Sequence, residues 1–128
     1  MITFINIEPG AAFGECLFAL TEDAVAAWTA LFPDDGRCLP TMPPAMIAMV
    51  VMRAFMQLIR DRPPGNIHAG QKFWIARLPV VGERLATKLR CEGKELKNNR
   101  RWVTFGTDTT DAAGQLLFRG QMTAIWAA

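Results

Sequence analysis

The sequence is poorest in the residues from which metal centres, disulfide frameworks and catalytic dyads are built. Its 128 residues include one histidine, His68, and three cysteines, Cys16, Cys38 and Cys91. Cysteines odd in number and far apart argue against a disulfide framework and against a zinc site. Cys38 and Cys91 have no adjacent base, so a nucleophilic thiol has no support either. Long apolar runs are also missing: the longest, Ala45 to Met52, is interrupted by Arg53, far short of the roughly 20 residues a bilayer span needs. No basic-then-apolar-then-small start is present, so the expectation is a protein without a secretory signal, placed in the cytoplasm. Internal repeats and low-complexity stretches are absent. What remains is an ordinary globular composition, 51% apolar and 20% charged. It fits a single domain over residues 1–128 that is large enough to bury a core without staples.

Charge of one sign is scarce in each part of the chain. Residues 1–52 carry one Arg against six acids, a net of −5; residues 53–102 carry twelve Lys and Arg against four acids, a net of +8. A basic middle suits an anionic partner such as a phosphorylated cofactor or an acidic carrier protein, and equally suits the solvated faces of strands. Nucleic acid is the weakest option, because the aromatic residues do not interleave with the basic ones as a stacking platform requires.

Periodicity supplies the elements. Ala11 to Leu20 reads as a strand, with Gly14, Cys16, Phe18 and Leu20 on one face. Thr21 is a good N-cap, followed by Glu22 and Asp23 at the positive end of a helix that stops at Phe32-Pro33. Asp34 to Met42 is a polar loop. Pro43-Pro44 opens a helix from Ala45 to Arg60 that is apolar nearly all round, the mark of a buried helix. Four strands follow: Asn66–Leu78, Arg84–Glu92, Arg101–Thr110 and Gln115–Trp126. In the first, Ile67, Ala69, Phe73 and Ile75 oppose His68, Lys72 and Trp74; in the second, Leu85, Thr87, Leu89 and Cys91 point inward. Short turns between sequential strands predict antiparallel pairing. The expected class is α+β, a long buried helix wrapped by a curved antiparallel sheet. The final strand and the exposed edge of so small a sheet call for a partner, which predicts a dimer by sheet continuation.

Particular segments sharpen this arrangement. They are Ile7-Glu8-Pro9-Gly10 with Thr21-Glu22-Asp23-Ala24-Val25, then Phe32-Pro33-Asp34-Asp35, then Pro43-Pro44-Ala45-Met46. The last runs from Ile67-His68-Ala69-Gly70-Gln71-Lys72-Phe73 to Leu78-Pro79-Val80-Val81-Gly82-Glu83-Arg84-Leu85. In these the chain resembles the MaoC-like hydratases and dehydratases of the hot-dog fold, closest to the N-terminal dehydratase group of type I fatty-acid synthases. The resemblance implies an acyl-coenzyme A or acyl-carrier-protein thioester as substrate and no cofactor or metal. Catalytic members carry Gly-Asp-x-Asn-Pro-aliphatic-His before the central helix, and the Asp and His hold the water that adds to the β-carbon. Here Asp34 aligns with that aspartate, but the position five residues on is Leu39.

The candidate acid–base groups are therefore Asp34, Asp35 and His68. The two acids, beside proline and glycine, also fit a plain turn, and His68 also fits a strand histidine with a structural partner. Pro44, Ala45 and Met46, with Met42, are the candidate substrate-binding residues. There the free N–H groups of Ala45 and Met46 would polarise a thioester carbonyl and the thioethers would adapt to an acyl chain. Three functions follow from this reading. One is a hydratase/dehydratase-type protein with a degenerate site, active alone or as the silent subunit of a heteromer, forming a homodimer or pairing with a related hot-dog subunit. The others are a hot-dog thioesterase, for which the acid-free stretch from Thr41 to Arg60 is unsuited, and a non-enzymatic acyl-binding scaffold.

Overall fold

The structure is a computed structural model describing residues 1–128. Its elements in order are β1 (Ala12–Ala19), α1 (Glu22–Leu31), a 3-10 helix over Pro33–Cys38, α2 (Met46–Leu58), β2 (Ile67–Ile75), β3 (Arg84–Lys97), β4 (Arg100–Thr110) and β5 (Leu116–Trp126). The strands form one antiparallel sheet in the order β1-β3-β4-β5-β2. No helix is long and apolar enough to cross a membrane.

Alternation decides which side of the sheet meets α2. Leu85, Thr87, Leu89 and Cys91 of β3, Val103, Phe105, Thr107 and Thr109 of β4, and Phe118, Met122, Ala124 and Trp126 of β5 are all buried against the helix side. The core has two halves along α2. Near the helix start, Met46, Ile47, Val50 and Val51 pack with Met42, Leu85, Leu117 and Phe118. Near its end, Phe55 and Ile59 pack with Phe105, Met122, Ala124 and Trp126. Residues 1–11 close the second half: Ile7 enters that core, and the Trp126 indole Nε1 donates to the Ile2 carbonyl at 2.9 Å.

Several expectations are met in detail. Thr21 caps α1, its hydroxyl accepting from the Ala24 N–H at 3.1 Å. Asp111 builds the β4–β5 turn by accepting from the N–H groups of Ala113 and Gln115, both at 2.9 Å. Other expectations are corrected. Asp34–Met42 is not wholly irregular, because Pro33–Cys38 winds into a 3-10 helix. β3 runs on to Lys97 rather than ending at Glu92, since a bulge between Cys91 and Gly93 breaks the alternation without breaking the pairing. The β3–β4 turn is Asn98-Asn99, both left-handed (φ 52° and 63°), the geometry a two-residue hairpin requires. At the start of β5 a register shift buries Leu117 and exposes Leu116.

Two further corrections bear on function. α2 ends at Leu58 rather than Arg60 and is not buried all round: Arg53, Met56 and Gln57 are exposed on one side. The Arg53 guanidinium lies 5.5 Å from the Phe18 ring centroid, and Gln57 Oε1 accepts from the Cys16 thiol at 3.1 Å. The final strand is also no edge, for β5 pairs with both β4 and β2; the free edges are β1 and β2.

Two of the twelve cations of the basic middle, Arg77 and Arg90, form ion pairs with acids, and Arg119 of β5 joins them. Arg90 and Arg119 both reach Asp108, at 2.8 and 2.7 Å. Burial works to raise the Asp108 carboxyl, and the Arg119 and Arg90 contacts outweigh it and hold it below its ordinary range. Arg77 bridges Glu83 at 2.8 Å and Asp111 at 3.0 Å, tying the β2–β3 loop to the β4–β5 turn. The Arg77 hydrogen bonds hold Glu83 below its ordinary value of 4.5. A lowered folded-state value stabilises the fold above the unfolded value, and that contribution disappears as pH falls through the folded value. Arg77→Gln is therefore expected to flatten the acid limb of the stability–pH curve. Thermal melts of both proteins across that limb check it: an unchanged slope in the variant would remove this pair from the acid response.

Candidate active site

The segment between α1 and α2 holds the aspartates. Asp35 is a brace: its Oδ2 accepts from the Trp28 indole Nε1 at 2.7 Å, while the Trp28 ring packs on Phe32 with centroids 4.7 Å apart. Asp34 is exposed, and its carboxylate makes no hydrogen bond or ion pair within the chain; only its carbonyl is used, accepting from Arg37 Nε at 3.1 Å. Leu39, at the position of the expected histidine, is 48% exposed. From there the chain is strapped to the turn before β3: the Val81 N–H donates to the Pro40 carbonyl at 2.9 Å and the Met42 N–H to the Pro79 carbonyl at 2.8 Å.

The strap delivers the chain to the start of α2. Met42 and Met46 are both completely buried in the core and are not presented on any surface of the chain. Pro44 and Ala45 are exposed. The donors at this helix end differ from expectation. The N–H groups of Met46, Ile47 and Ala48 donate to the carbonyls of Pro43, Pro44 and Ala45 at 3.0–3.2 Å. Tightening of the first turn thus consumes the Met46 donor, and prolines 43 and 44 have none. Ala45 keeps the one N–H at this point with no acceptor within the chain.

His68 lies elsewhere. It is exposed on β2, with its Nε2 3.1 Å from Gln71 Oε1. The strand bulges between His68 and Gly70, so His68 stands opposite Ala124 and Gln71 opposite Met122. Residues directly opposed across a ladder share a face. His68 therefore lies on the helix-facing side with Gln71 and Phe73, not on the opposite side with Lys72 and Trp74. Simple alternation misplaces it because the extra residue, Ala69, inverts the parity. Along the sheet, Ala124 belongs to the core at the end of α2, whereas Phe73 packs on the core at its start. His68 therefore stands toward the core at the end of α2 and not the core at its start.

A groove of about 470 Å³ opens between α1 and the strap, lined by Val25, Ala26, Thr29, Leu39, Pro40 and Val81. Nothing in the sequence flags it, since it is formed by residues from three separate segments. None of the candidate residues lines it, although Leu39 forms one wall. No three His, Cys, Asp or Glu side chains converge as a metal site.

No protein-family model and no curated protein matches the sequence. Solved structures do match the fold. The MaoC-like dehydratase from Rhodospirillum rubrum superposes with a TM-score of 0.81 at 14% identity, over 100% of this chain and 99% of that one. The (R)-hydratase from A. caviae involved in PHA biosynthesis gives 0.71 at 20%, over 95% and 98%. The HadBC (3R-hydroxyacyl-ACP dehydratase) complex from Mycobacterium tuberculosis gives 0.74 at 11%, over 91% and 96%. These likenesses extend over nearly the whole chain, and on them, together with the five-stranded antiparallel sheet and the helix it wraps, the chain has the hot-dog fold.

Proposed function

We propose that the protein is an acyl-thioester hydratase/dehydratase of the MaoC-like type whose site is incomplete in one chain and is completed by a second hot-dog subunit. The observation that carries this reading is the unengaged Asp34 carboxylate on the segment leading into α2, with Leu39 where the motif has its imidazole. In such a reaction water adds across the C2=C3 bond of an enoyl thioester. A base takes a proton from the water as its oxygen bonds to C3, the π electrons move onto the thioester carbonyl, and a proton is returned to C2. The free N–H of Ala45 is the donor available to the carbonyl oxygen. A thioesterase fits less well, because α2 carries no carboxylate to activate water and its exposed side offers Arg53 and Gln57.

The test is loss of the conjugated double bond of trans-2-enoyl-coenzyme A and carrier-protein thioesters. Asp34→Asn is expected to lower turnover at least about 100-fold, the usual share of a positioned acid–base group. Full activity in that variant would refute the role of Asp34. Leu39 also favours a second arrangement, in which the completing subunit is a related chain bearing an intact Asp/His pair, as in a two-component dehydratase complex. In that case turnover arises only when such a subunit is co-purified.

A further inference from the structure

We infer that the end of the molecule built from the β3–β4 hairpin and the residues just past α2 is a docking surface for an anionic lipid bilayer. Residues 1–6 tie the two segments together: the Ile2 N–H donates to the Asp61 carbonyl and the Lys94 ammonium to the Phe4 carbonyl, both at 2.6 Å. Residues 60–62 and 94–101 hold six cations, Arg60, Arg62, Lys94, Lys97, Arg100 and Arg101, against two acids, Asp61 and Glu95. None of the six is ion-paired. Arg62, Lys94 and Arg101 are hydrogen-bonded, but to the main-chain carbonyls of Ile59, Phe4 and Ala127, which bring no charge to cancel theirs. Arg60, Lys97 and Arg100 stand exposed in solvent. Fixed positive charge left unneutralised on one end of a domain attracts an anionic surface.

The shape of this end decides the kind of surface. β1 pairs with β3 no further than Arg90, and β5 pairs with β4 no further than Arg101, so the turn from Lys97 to Arg100 projects beyond every neighbouring strand. The register puts Leu96 opposite Arg101, with Lys94 and the turn cations beside it, and yet Leu96 is 70% exposed. Ile5, whose carbonyl also accepts from Lys94 at 3.2 Å, is 84% exposed. Aliphatic tips set outward among unpaired cations match a bilayer surface, where the tips enter the acyl boundary and the cations meet phosphate headgroups. Nucleic acid asks for open aromatic faces, and the rings here are Trp102, partly buried, and Phe4, whose centroid lies 4.9 Å from the Lys94 ammonium. A carrier protein presenting a thioester would dock beside the Ala45 N–H, at the opposite end of α2, about 20 Å away along 13 residues. No helix of the chain spans a bilayer, so the contact is peripheral.

The test is co-sedimentation of the full chain with large vesicles at low ionic strength. Binding is expected to vesicles containing about a quarter phosphatidylglycerol and not to pure phosphatidylcholine, and it is expected to fall steeply as salt is raised. Lys97→Gln combined with Arg100→Gln is expected to weaken binding about 25-fold, at about fivefold for each cation removed. Leu96→Ser, at a position open to solvent, is expected to weaken it about tenfold. Arg84→Gln combined with Lys88→Gln removes the same charge from two exposed cations in the first part of β3 and is expected to leave binding nearly unchanged. No binding to the anionic vesicles, or equal weakening by the two charge pairs, would overturn the inference. Full vesicle binding by Leu96→Ser would overturn it too, since a surface that inserts nothing is a dock for an acidic protein and not for a bilayer.

Discussion

Phe105→Ala is expected to cost about 3–5 kcal/mol of stability and to lower the melting temperature by roughly 10–20 °C. Phe105 is wholly buried at the centre of β4, and three rings converge on it: Phe13 at 6.0 Å, Phe55 at 5.4 Å and Trp126 at 5.5 Å between centroids. These rings come from β1, α2 and β5, so one truncation loosens the helix against both flanks of the sheet. Side chains this tightly engaged cannot collapse into the void, and the cavity term adds to the lost burial. Domains are stable by only about 5–15 kcal/mol, so the loss is a large fraction of the whole. Urea unfolding measures it, with Phe105→Leu as a milder companion that keeps most of the volume. A loss under 1 kcal/mol in the alanine variant would mean that this part of the core repacks freely.

The second large effect is a coupling between Gly120 and Thr107, which face each other across β5 and β4. A Cβ on Gly120 would lie within 2.5 Å of Thr107 Oγ1, and both residues are buried. The Thr107 hydroxyl is itself without a hydrogen-bond partner. Gly120→Ala alone is expected to destabilise by about 1–3 kcal/mol through overpacking. In a Thr107→Ala background, where the obstructing oxygen is gone, the same substitution is expected to cost almost nothing. The double-mutant cycle reads this coupling directly. Simple additivity of the two single losses would show that the clash is relieved some other way.

The strands and α2 were legible because their apolar periods are strong, and the caps and turns because Thr21 and Asp111 do local chemistry that sequence displays. The order of the strands was not. Nothing local tells β5, last in the chain, that it lies between β4 and β2, so it was read as an edge. The apolar helix expected from Ala45 to Arg60 overstated burial for a related reason: a helix lying on one sheet shows only part of its circumference to it. Of the candidate residues, the position of Asp34 on the exposed segment before the central helix was legible. The face occupied by His68 was not, because one bulged residue inverts the alternation, and bulges leave no mark in composition. The loss of the Met46 donor was equally hidden, since it depends on whether the first turn of α2 closes tightly.

The strand order also governs what happens while the chain is being made. β1 and β2, the first two strands to be made, lie at opposite edges of the sheet; their partners are β3 and β5. No ladder can form until Arg84 and the residues after it have emerged. At synthesis rates of about 5–20 residues per second, the apolar side of α2 waits for seconds without a sheet to cover it. The β3–β4–β5 meander, joined by short turns and last to appear, is then the natural nucleus on which both waiting edges condense. A nascent chain halted before β3 would be a ligand for chaperones rather than a half-built sheet.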